Sequence, residues 1–114
     1  MIQAGSICMG SLPQADGKEK DRPVLVLSKL PGYGDWLVCG ISSKTYHYVD
    51  DFDELLENAD PDFTQTGLKR SGLVRLGFIS YLPEKRILGI IGSLPKIRYQ
   101  KVIKRFIDHL SCEL

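Results

Sequence analysis

Short apolar runs rich in β-branched residues, separated by turn-forming segments, constrain the fold of this chain more than any other feature. Residues 23–28 and 36–41 form two such runs, and the segment Pro-Gly-Tyr-Gly-Asp at residues 31–35 lies between them. Apolar runs of this length indicate buried strands, and a connection of about five turn residues is typical of a β-hairpin. The sequence therefore predicts an antiparallel hairpin over residues 23–41, with Trp36 in the core.

Three further strands and one terminal helix are predicted, with the strands at residues 5–12, 73–81 and 87–91. The helix has Ser93 as its expected cap and Pro95 in its first turn. Its apolar residues follow helical spacing and are Tyr99, Val102, Ile103, Phe106, Ile107 and Leu110. Strands and helices do not alternate, which excludes a doubly wound parallel sheet. We predict a single domain over residues 1–114 that forms a small, strongly bent antiparallel barrel with a C-terminal helix.

A short helix is also predicted between the third and fourth of these strands. Asp51 is a suitable N-cap, and Glu54 stands three residues later, as in a capping box. Phe52, Leu55 and Leu56 would share one face of this helix, and the Asp60-Pro61 pair would end it. Residues 46–49, which precede it, form either an edge strand or an extended loop.

The formal net charge of +1 conceals two segments of opposite charge. Residues 45–68 contain seven acids and no Lys or Arg, whereas residues 69–105 contain ten bases and one acid. Such separation creates local fields, so a nearly neutral total does not exclude a nucleic-acid partner. The basic segment is either a surface that binds a phosphate backbone or the solvated face of the last helix. For the helix alone we favour the solvated face. The acidic segment, from Asp50 to Asp62, is either a solvated loop with a short helix or a cover over the basic site.

Several classes of protein are excluded by what the sequence lacks. It has no P-loop, no G-x-S-x-G motif and no H-E-x-x-H motif. Cys8, Cys39 and Cys112 are widely spaced, so we expect reduced thiols, no disulfide framework and no metal site. His47 and His109 are isolated and are weak candidates for catalysis. No targeting or membrane-spanning segment is recognisable, and we expect a cytoplasmic protein.

Arginine and serine residues at the ends and faces of strands are the remaining candidates for chemistry. Arg22 stands between a polar loop and a buried strand, Arg75 lies in the middle of a strand, and Ser42 and Ser43 end the hairpin. Guanidinium groups bind phosphate in bidentate fashion, and hydroxyl groups add oriented hydrogen bonds. These residue types therefore suit the recognition of an anion.

Motifs along nearly the whole chain, from Gly5 to Leu110, resemble those of MazF/PemK/Kid-type toxins of bacterial type II toxin–antitoxin systems, and the PemK-like branch most of all. The matching motifs are Gly5-Ser6-Ile7, Arg22-Pro23, Ile41-Ser42, Thr66-Gly67-Leu68-Lys69, residues 71–75 and Ile90-Ile91-Gly92-Ser93. The resemblance implies an SH3-like barrel, a homodimer and no cofactor. It implies a growth inhibitor that cleaves single-stranded mRNA at a short sequence as a metal-independent endoribonuclease. It also implies a cognate antitoxin, which inhibits the toxin and in complex with it represses their operon at operator DNA.

The resemblance assigns roles to individual residues. Arg22 matches the family's catalytic arginine, Ser42 stands where many members have a catalytic threonine, and Arg75 matches a second catalytic arginine of Kid-type members. Glu19 corresponds to an acid before the Arg-Pro motif and, with Asp21, is a candidate proton acceptor for attack by the RNA 2′-hydroxyl. The implied substrate-binding residues around them are Lys20, Asp21, Ser43, Lys44 and Gly77.

Two departures from the family pattern leave two functions open. Kid-type members carry an aspartate two residues after the second arginine, where this chain has Gly77, and the common Gly-Asp of the first strand is Gly5-Ser6. Positions i and i+2 share a strand face, so Arg75 has no acidic neighbour there. The protein is either an endoribonuclease toxin or a catalytically inactive binding module that acts through the antitoxin or operator DNA. We favour the enzyme because Arg22, Ser42 and Arg75 are present.

Overall fold

A single curled sheet of six antiparallel strands forms most of the protein in the computed structural model, which describes all residues from 1 to 114. Its spatial order is β4-β5-β3-β2-β1-β6, and one helix, α1, follows it in the chain. The elements are β1 Ser6–Pro13, β2 Glu19–Lys29, β3 Asp35–Ser42, β4 Glu54–Leu56, β5 Gly72–Pro83, β6 Ile87–Ser93 and α1 Lys96–Ser111. The predicted mainly-β fold with a C-terminal helix is confirmed.

The predicted hairpin is present as β2 and β3. The two strands pair antiparallel, with Leu25 opposite Cys39 and Val26 opposite Val38. Gly32 and Gly34 in the connecting turn have φ values of 101° and 76°, which side-chain-bearing residues rarely adopt. The turn chemistry of this segment therefore sets the hairpin directly.

Alternate residues of the strands build two separate clusters of apolar side chains, because successive side chains point to opposite faces of a sheet. Ile7, Leu25 and Cys39 belong to the cluster that includes Val102 of α1. Cys8, Val24, Val38 and Trp36 belong to the other cluster. Trp36 is buried, as predicted, and its indole N–H donates to Glu84 Oε1 at 3.2 Å.

Helix α1 covers one side of the sheet with the first part of its apolar stripe. Val102 is fully buried, and the Tyr99 hydroxyl donates to the Leu27 carbonyl at 2.8 Å. Ile107 and Leu110, at the end of the stripe, are exposed. The predicted cap was wrong: Pro95 is the N-cap residue, and Ser93 ends β6, where its hydroxyl accepts a hydrogen bond from Gln65. No helix in the structure has the length and apolar character needed to cross a membrane.

The predicted short helix was wrong. Asp51 lies in a turn with a φ of 58°, and Glu54–Leu56 forms strand β4 on the edge of β5, with Leu55 opposite Leu73. The short helical turns lie elsewhere, at Thr45–His47, Phe63–Thr66 and Glu84–Arg86. Pairing with a distant strand therefore overrides the local capping signal.

The acidic segment is bound to helix α1 through two arginines. Arg98 contacts Asp60 at 2.7 Å, Asp62 at 3.0 Å and Glu54 at 3.1 Å. Arg105 contacts the second oxygen of Glu54 at 2.7 Å. The backbone N–H of Glu57 and the Arg98 guanidinium hold the pKa of Asp60 below its usual value. The interpretation of the helix as a solvated basic face was therefore wrong for Arg98 and Arg105, which fasten the acidic segment to the fold.

Two close backbone approaches join the two ends of the curled sheet. Gly67 has a φ of 72°, and a Cβ atom there would lie 1.8 Å from the carbonyl oxygen of Ile91 in β6. A Cβ atom on Gly92 would lie 2.3 Å from the carbonyl oxygen of Thr66. The chain that leaves β4 thus packs directly on β6, the strand at the opposite edge, because neither glycine has a side chain.

Candidate functional site

One large cleft, of about 1110 Å³, gathers almost all of the site residues predicted from the sequence. Strand β3 lies between β2 and β5, so Arg22 on β2, Ser42 at the end of β3 and Arg75 on β5 lie on neighbouring strands. Their side chains line the cleft together with the predicted residues Lys20, Asp21, Ser43, Lys44 and Gly77. The order of strands in the sheet therefore brings together residues that are far apart in the sequence.

Glu19 does not line this cleft. Its carboxylate accepts hydrogen bonds from Arg86 Nη1 at 2.6 Å and from the Ser11 hydroxyl at 3.2 Å. The bond from Arg86, followed by that from Ser11, lowers the pKa of Glu19. Glu19 begins β2, and Arg86 comes directly before β6, which pairs with the same strand β1. This packing directs the Glu19 carboxylate into an ion pair and makes it a poor proton acceptor for the site.

The cleft is strongly cationic. Asp21 is the only acidic residue that lines it, whereas its bases are Lys20, Arg22, Lys44, Lys69, Arg70 and Arg75. None of these six bases forms a salt bridge within the chain. None of the acids of residues 45–68 lines the cleft, so the acidic segment does not cover it. The cleft is therefore suited to a ligand with several negative charges.

Lys69 and Arg70 were not predicted as site residues. They begin the basic part of the sequence, and Lys69 also ends the motif Thr66-Gly67-Leu68-Lys69, but the resemblance gave neither residue a role. They reach the cleft because they follow Gly67, whose backbone packs on β6.

Arg22 lies partly buried at the wall of the cleft. Its Nε atom is buried and has no hydrogen-bond partner in the protein. Its guanidinium carbon lies 5.1 Å from the centre of the Phe78 ring. The side chain as a whole is only partly buried and lines the cleft, so its other guanidinium nitrogens can bind an anion there.

Ser42 begins a compact turn that carries His47 to the cleft. The Ser42 hydroxyl accepts a hydrogen bond from the Lys44 N–H at 3.1 Å, and the His47 N–H donates to the Lys44 carbonyl at 3.0 Å. His47 is exposed and lines the cleft, although its isolation in the sequence made it a weak candidate. No sequence pattern pointed to it, because its position depends on where β3 ends against β5.

Gly77 and Ser6, the two departures from the family pattern, have different structural consequences. Gly77 lines the cleft, and a Cβ atom there would meet nothing within 4 Å. Ser6 is buried outside the cleft, and its hydroxyl accepts a hydrogen bond from the Gln3 N–H at 3.1 Å. Only the change at Gly77 therefore alters the chemistry of the site.

The cleft combines the groups needed to bind and activate a phosphodiester. Arg22 and Arg75 supply positive charge, and Ser42 supplies a hydroxyl group. Asp21 supplies a carboxylate and His47 an imidazole, which are types of group that act as general acids and bases. No group of His, Cys, Asp and Glu side chains in the structure is arranged to hold a metal ion.

Comparison with known proteins identifies related sequences and folds. The family model described as PemK-like, MazF-like toxin of type II toxin-antitoxin system matches residues 3–110. Among solved structures, the Mycobacterium tuberculosis toxin MazF-mt6 superposes with a TM-score of 0.70 at 17% sequence identity, over 93% of this chain and 96% of that one. At this identity the structural likeness establishes the fold alone. No curated protein sequence was found to match the chain.

Proposed function

Because this chain belongs to the PemK-like, MazF-like toxins of type II toxin–antitoxin systems, we propose that it is a metal-independent endoribonuclease that cleaves single-stranded mRNA at a short sequence. The observation that carries the proposal is a cleft whose six bases, Arg22 and Arg75 among them, form no ion pair within the chain. An RNA strand supplies the phosphate oxygens that such a cleft lacks, and its 2′-hydroxyl supplies the nucleophile.

In the proposed reaction the 2′-hydroxyl attacks the adjacent phosphate, and the 5′-oxygen leaves. The products are a 2′,3′-cyclic phosphate and a 5′-hydroxyl end. Arg22 and Arg75 stabilise the charge that develops on the phosphorane, and Ser42 orients the phosphate. Asp21 and His47 are the candidates for the two proton transfers, since Glu19 is held by Arg86.

Substitution of Arg22 tests this assignment. We expect Arg22→Ala to lose RNA cleavage by a factor of about 10²–10³ and to abolish growth arrest, since it removes one of the groups that stabilise the transition state. Arg86→Ala is the matched control, because Arg86 is an arginine outside the cleft. The assay follows an end-labelled RNA in the presence of a chelator and identifies the cyclic phosphate on the fragments. Cleavage by Arg22→Ala at the wild-type rate would refute the assignment.

The proton-transfer groups are tested by two variants. Asp21→Asn keeps the shape of the side chain, His47→Gln keeps a polar side chain of similar length, and both remove the group that exchanges a proton. We expect the variant at the true acceptor to lose the corresponding limb of the pH–rate profile, while the other variant retains it. Wild-type profiles in both variants would exclude these two residues from proton transfer.

Gly77 favours a second function, in which the chain is a binding module without catalysis. The cleft would then hold nucleic acid, or the antitoxin, without breaking a phosphodiester. Induced expression in bacteria separates the two functions. Growth arrest with fragments that end in cyclic phosphate supports the enzyme, whereas folded protein that neither cleaves RNA nor arrests growth supports the binding module.

We also propose that the protein is a cytoplasmic homodimer that binds a cognate antitoxin and reaches operator DNA in complex with it. The supporting observation is β6, an edge strand paired only with β1, whose residues Leu88, Ile90 and Ile91 are exposed. Exposed apolar residues grouped in this way are typical of surfaces that a partner covers. Light scattering on the wild type and on Leu88→Lys measures the dimer, and an unchanged dimer in the variant would place the interface elsewhere.

A further inference from the structure

We propose that Phe78 is a positioning residue, which holds the Arg22 guanidinium ready for phosphate, and that Gly40 is the position that permits it. The inference rests on the proposed function of the cleft. Phe78 has neither a titratable nor a nucleophilic side chain, so it would act only by holding Arg22 in position. Phe78 lines the cleft beside Arg22, and nothing in the sequence pattern distinguished it from the other apolar residues of β5.

An irregularity between β3 and β5 places Phe78 at this point. Cys39 lies opposite Ile79 and Ile41 lies opposite Val74, so only Gly40 faces the four residues 75–78. Bulges of this kind bend a strand and redirect its side chains, and they are frequent next to active sites. The bulge displays Arg75 and Phe78 toward the same cleft.

A buried carboxylate holds the bulge in place. Asp53 is almost fully buried, and its Oδ1 atom accepts a hydrogen bond from the Leu76 N–H at 3.2 Å, within the bulged segment. Its Oδ2 atom accepts a hydrogen bond from the Val49 N–H at 3.0 Å. Asp53, which belongs to the acidic segment, therefore holds the bulge in β5 from the side opposite the β2–β3 hairpin.

Gly40 provides the space that the Phe78 ring occupies. A Cβ atom on Gly40 would lie 2.6 Å from Cδ2, 3.0 Å from Cε2 and 3.1 Å from Cγ of Phe78. Side-chain atoms do not approach this closely, so any larger residue would displace the ring. The ring also packs against the core cluster that contains Val24 and Val38, which limits where it can move.

The ring positions Arg22 without neutralising it. The Arg22 guanidinium lies 5.1 Å from the ring centre and has no carboxylate in contact. A carboxylate would orient the same group but would also compete with phosphate for its N–H donors. Stacking on an aromatic face leaves the Nη atoms at the edge of the guanidinium for the ligand, while the Nε atom stays buried.

The proposal is tested by Phe78→Leu, with Phe78→Tyr as the conservative variant that keeps the ring. We expect Phe78→Leu to lower kcat for RNA cleavage about tenfold with a smaller change in KM, and Phe78→Tyr to retain the wild-type values. In ¹H–¹⁵N spectra, the Arg22 Nε–Hε signal should lose its aromatic ring-current shift in Phe78→Leu and keep it in Phe78→Tyr.

Gly40→Ala tests the same arrangement while keeping the ring. We expect it to reproduce the loss in kcat and the displaced Arg22 signal, and to add nothing further in the Phe78→Leu background. Gly89→Ala is the matched control, because a Cβ atom on that strand glycine meets nothing within 4 Å. Independent, additive effects of the two substitutions would overturn the proposal.

The spectroscopic measurement separates this proposal from the function on which it rests. If the wild-type protein does not cleave RNA, the proposed function fails, and titration of inorganic phosphate on the Arg22 Nε–Hε signal still decides the role of Phe78. Weaker phosphate binding and a shifted signal in folded Phe78→Leu support the proposal. Wild-type kcat in Phe78→Leu, or an Arg22 signal with unchanged position and phosphate response, overturns it.

Discussion

Replacement of Arg98 by Met should strongly destabilise the fold, although Arg98 does not line the cleft. Arg98 donates to Asp60, Asp62 and Glu54 and to the carbonyl of Leu55, and its side chain is 18% exposed. Met keeps the apolar stem and the helix propensity but removes every one of these bonds. Asp60 and Asp62 would then lose their counterion, and Glu54 would keep only Arg105.

The expected magnitude follows from the exposure of the network. Loss of one partner from a buried ion pair costs about 3–5 kcal/mol, whereas exposed pairs contribute about 0–1 kcal/mol. Arg98 itself lies near the buried limit, but Asp62 is 40% exposed. We therefore expect a loss of about 2–3 kcal/mol in the free energy of unfolding, or a fall in Tm of about 10 °C.

Urea unfolding followed by the fluorescence of Trp36, the single and buried tryptophan, measures this loss. Lys104→Met is the matched control, because Lys104 is 76% exposed and pairs only with Asp108 one turn along the helix. We expect the control to change the free energy of unfolding by no more than about 0.5 kcal/mol. Equal stabilities of the two variants would refute the structural role of Arg98.

The pH dependence gives a second measurement with a defined sign. The pKa of Asp60 is lowered from its usual value of 3.8 by the N–H of Glu57 and by Arg98. Its contribution to stability is therefore complete above this usual value and is lost as the pH falls through the lower pKa of the folded state. The difference between wild type and Arg98→Met should be constant near neutral pH and should shrink below pH 3.8.

Three further predictions concern other parts of the molecule. Gly67→Ala should lower the free energy of unfolding by more than about 2 kcal/mol in the same urea assay, because φ is positive there and the new Cβ atom would overlap the Ile91 carbonyl. Wild-type stability of this variant would contradict the prediction. Gly77→Asp should fold normally and raise the rate of RNA cleavage, because it places a carboxylate on the same strand face as Arg75. An unchanged rate would show that the missing carboxylate does not limit activity. A thiol reagent should modify only Cys112 in the native protein, because Cys8 is buried and burial raises the pKa of Cys39 to about 12. Modification of a second thiol before unfolding would refute the prediction.

Within the candidate site, the structure brings all but one of the residues predicted from the sequence to the cleft, but the sequence did not show how the cleft is organised. The resemblance selected Arg22, Ser42 and Arg75, and the structure places them on three adjacent strands. It also selected Glu19, which the structure ties to Arg86. His47, Arg70 and Phe78 line the same cleft without any motif that marked them, and Lys69 lines it as the last residue of a motif that assigned it no role. A motif records residue type and spacing, whereas ion pairing and the access of a side chain depend on which strands become neighbours.

The charge pattern shows the same division. The sequence shows the separation into acidic and basic segments, and it allowed the acids to cover the basic site. In the structure the arginines of α1 bind the acidic segment, so the bases of the cleft remain unpaired. A sequence cannot say which charges will meet, because the pairs join residues that are 36 to 51 positions apart.

Features that depend on neighbours in the chain were determined by the sequence alone. These are the hairpin, with its glycine-rich turn, and the helix, with its apolar spacing. The tertiary structure decided the features that depend on distant partners. Glu54 carries a local signal for a helix but forms a strand that pairs with β5. The bulge at residues 75–78 forms only where β3, β5 and the Asp53 carboxylate meet. The physical reason is that propensities and turns act over a few residues, whereas strand pairing and buried charge are stabilised only when the sheet assembles.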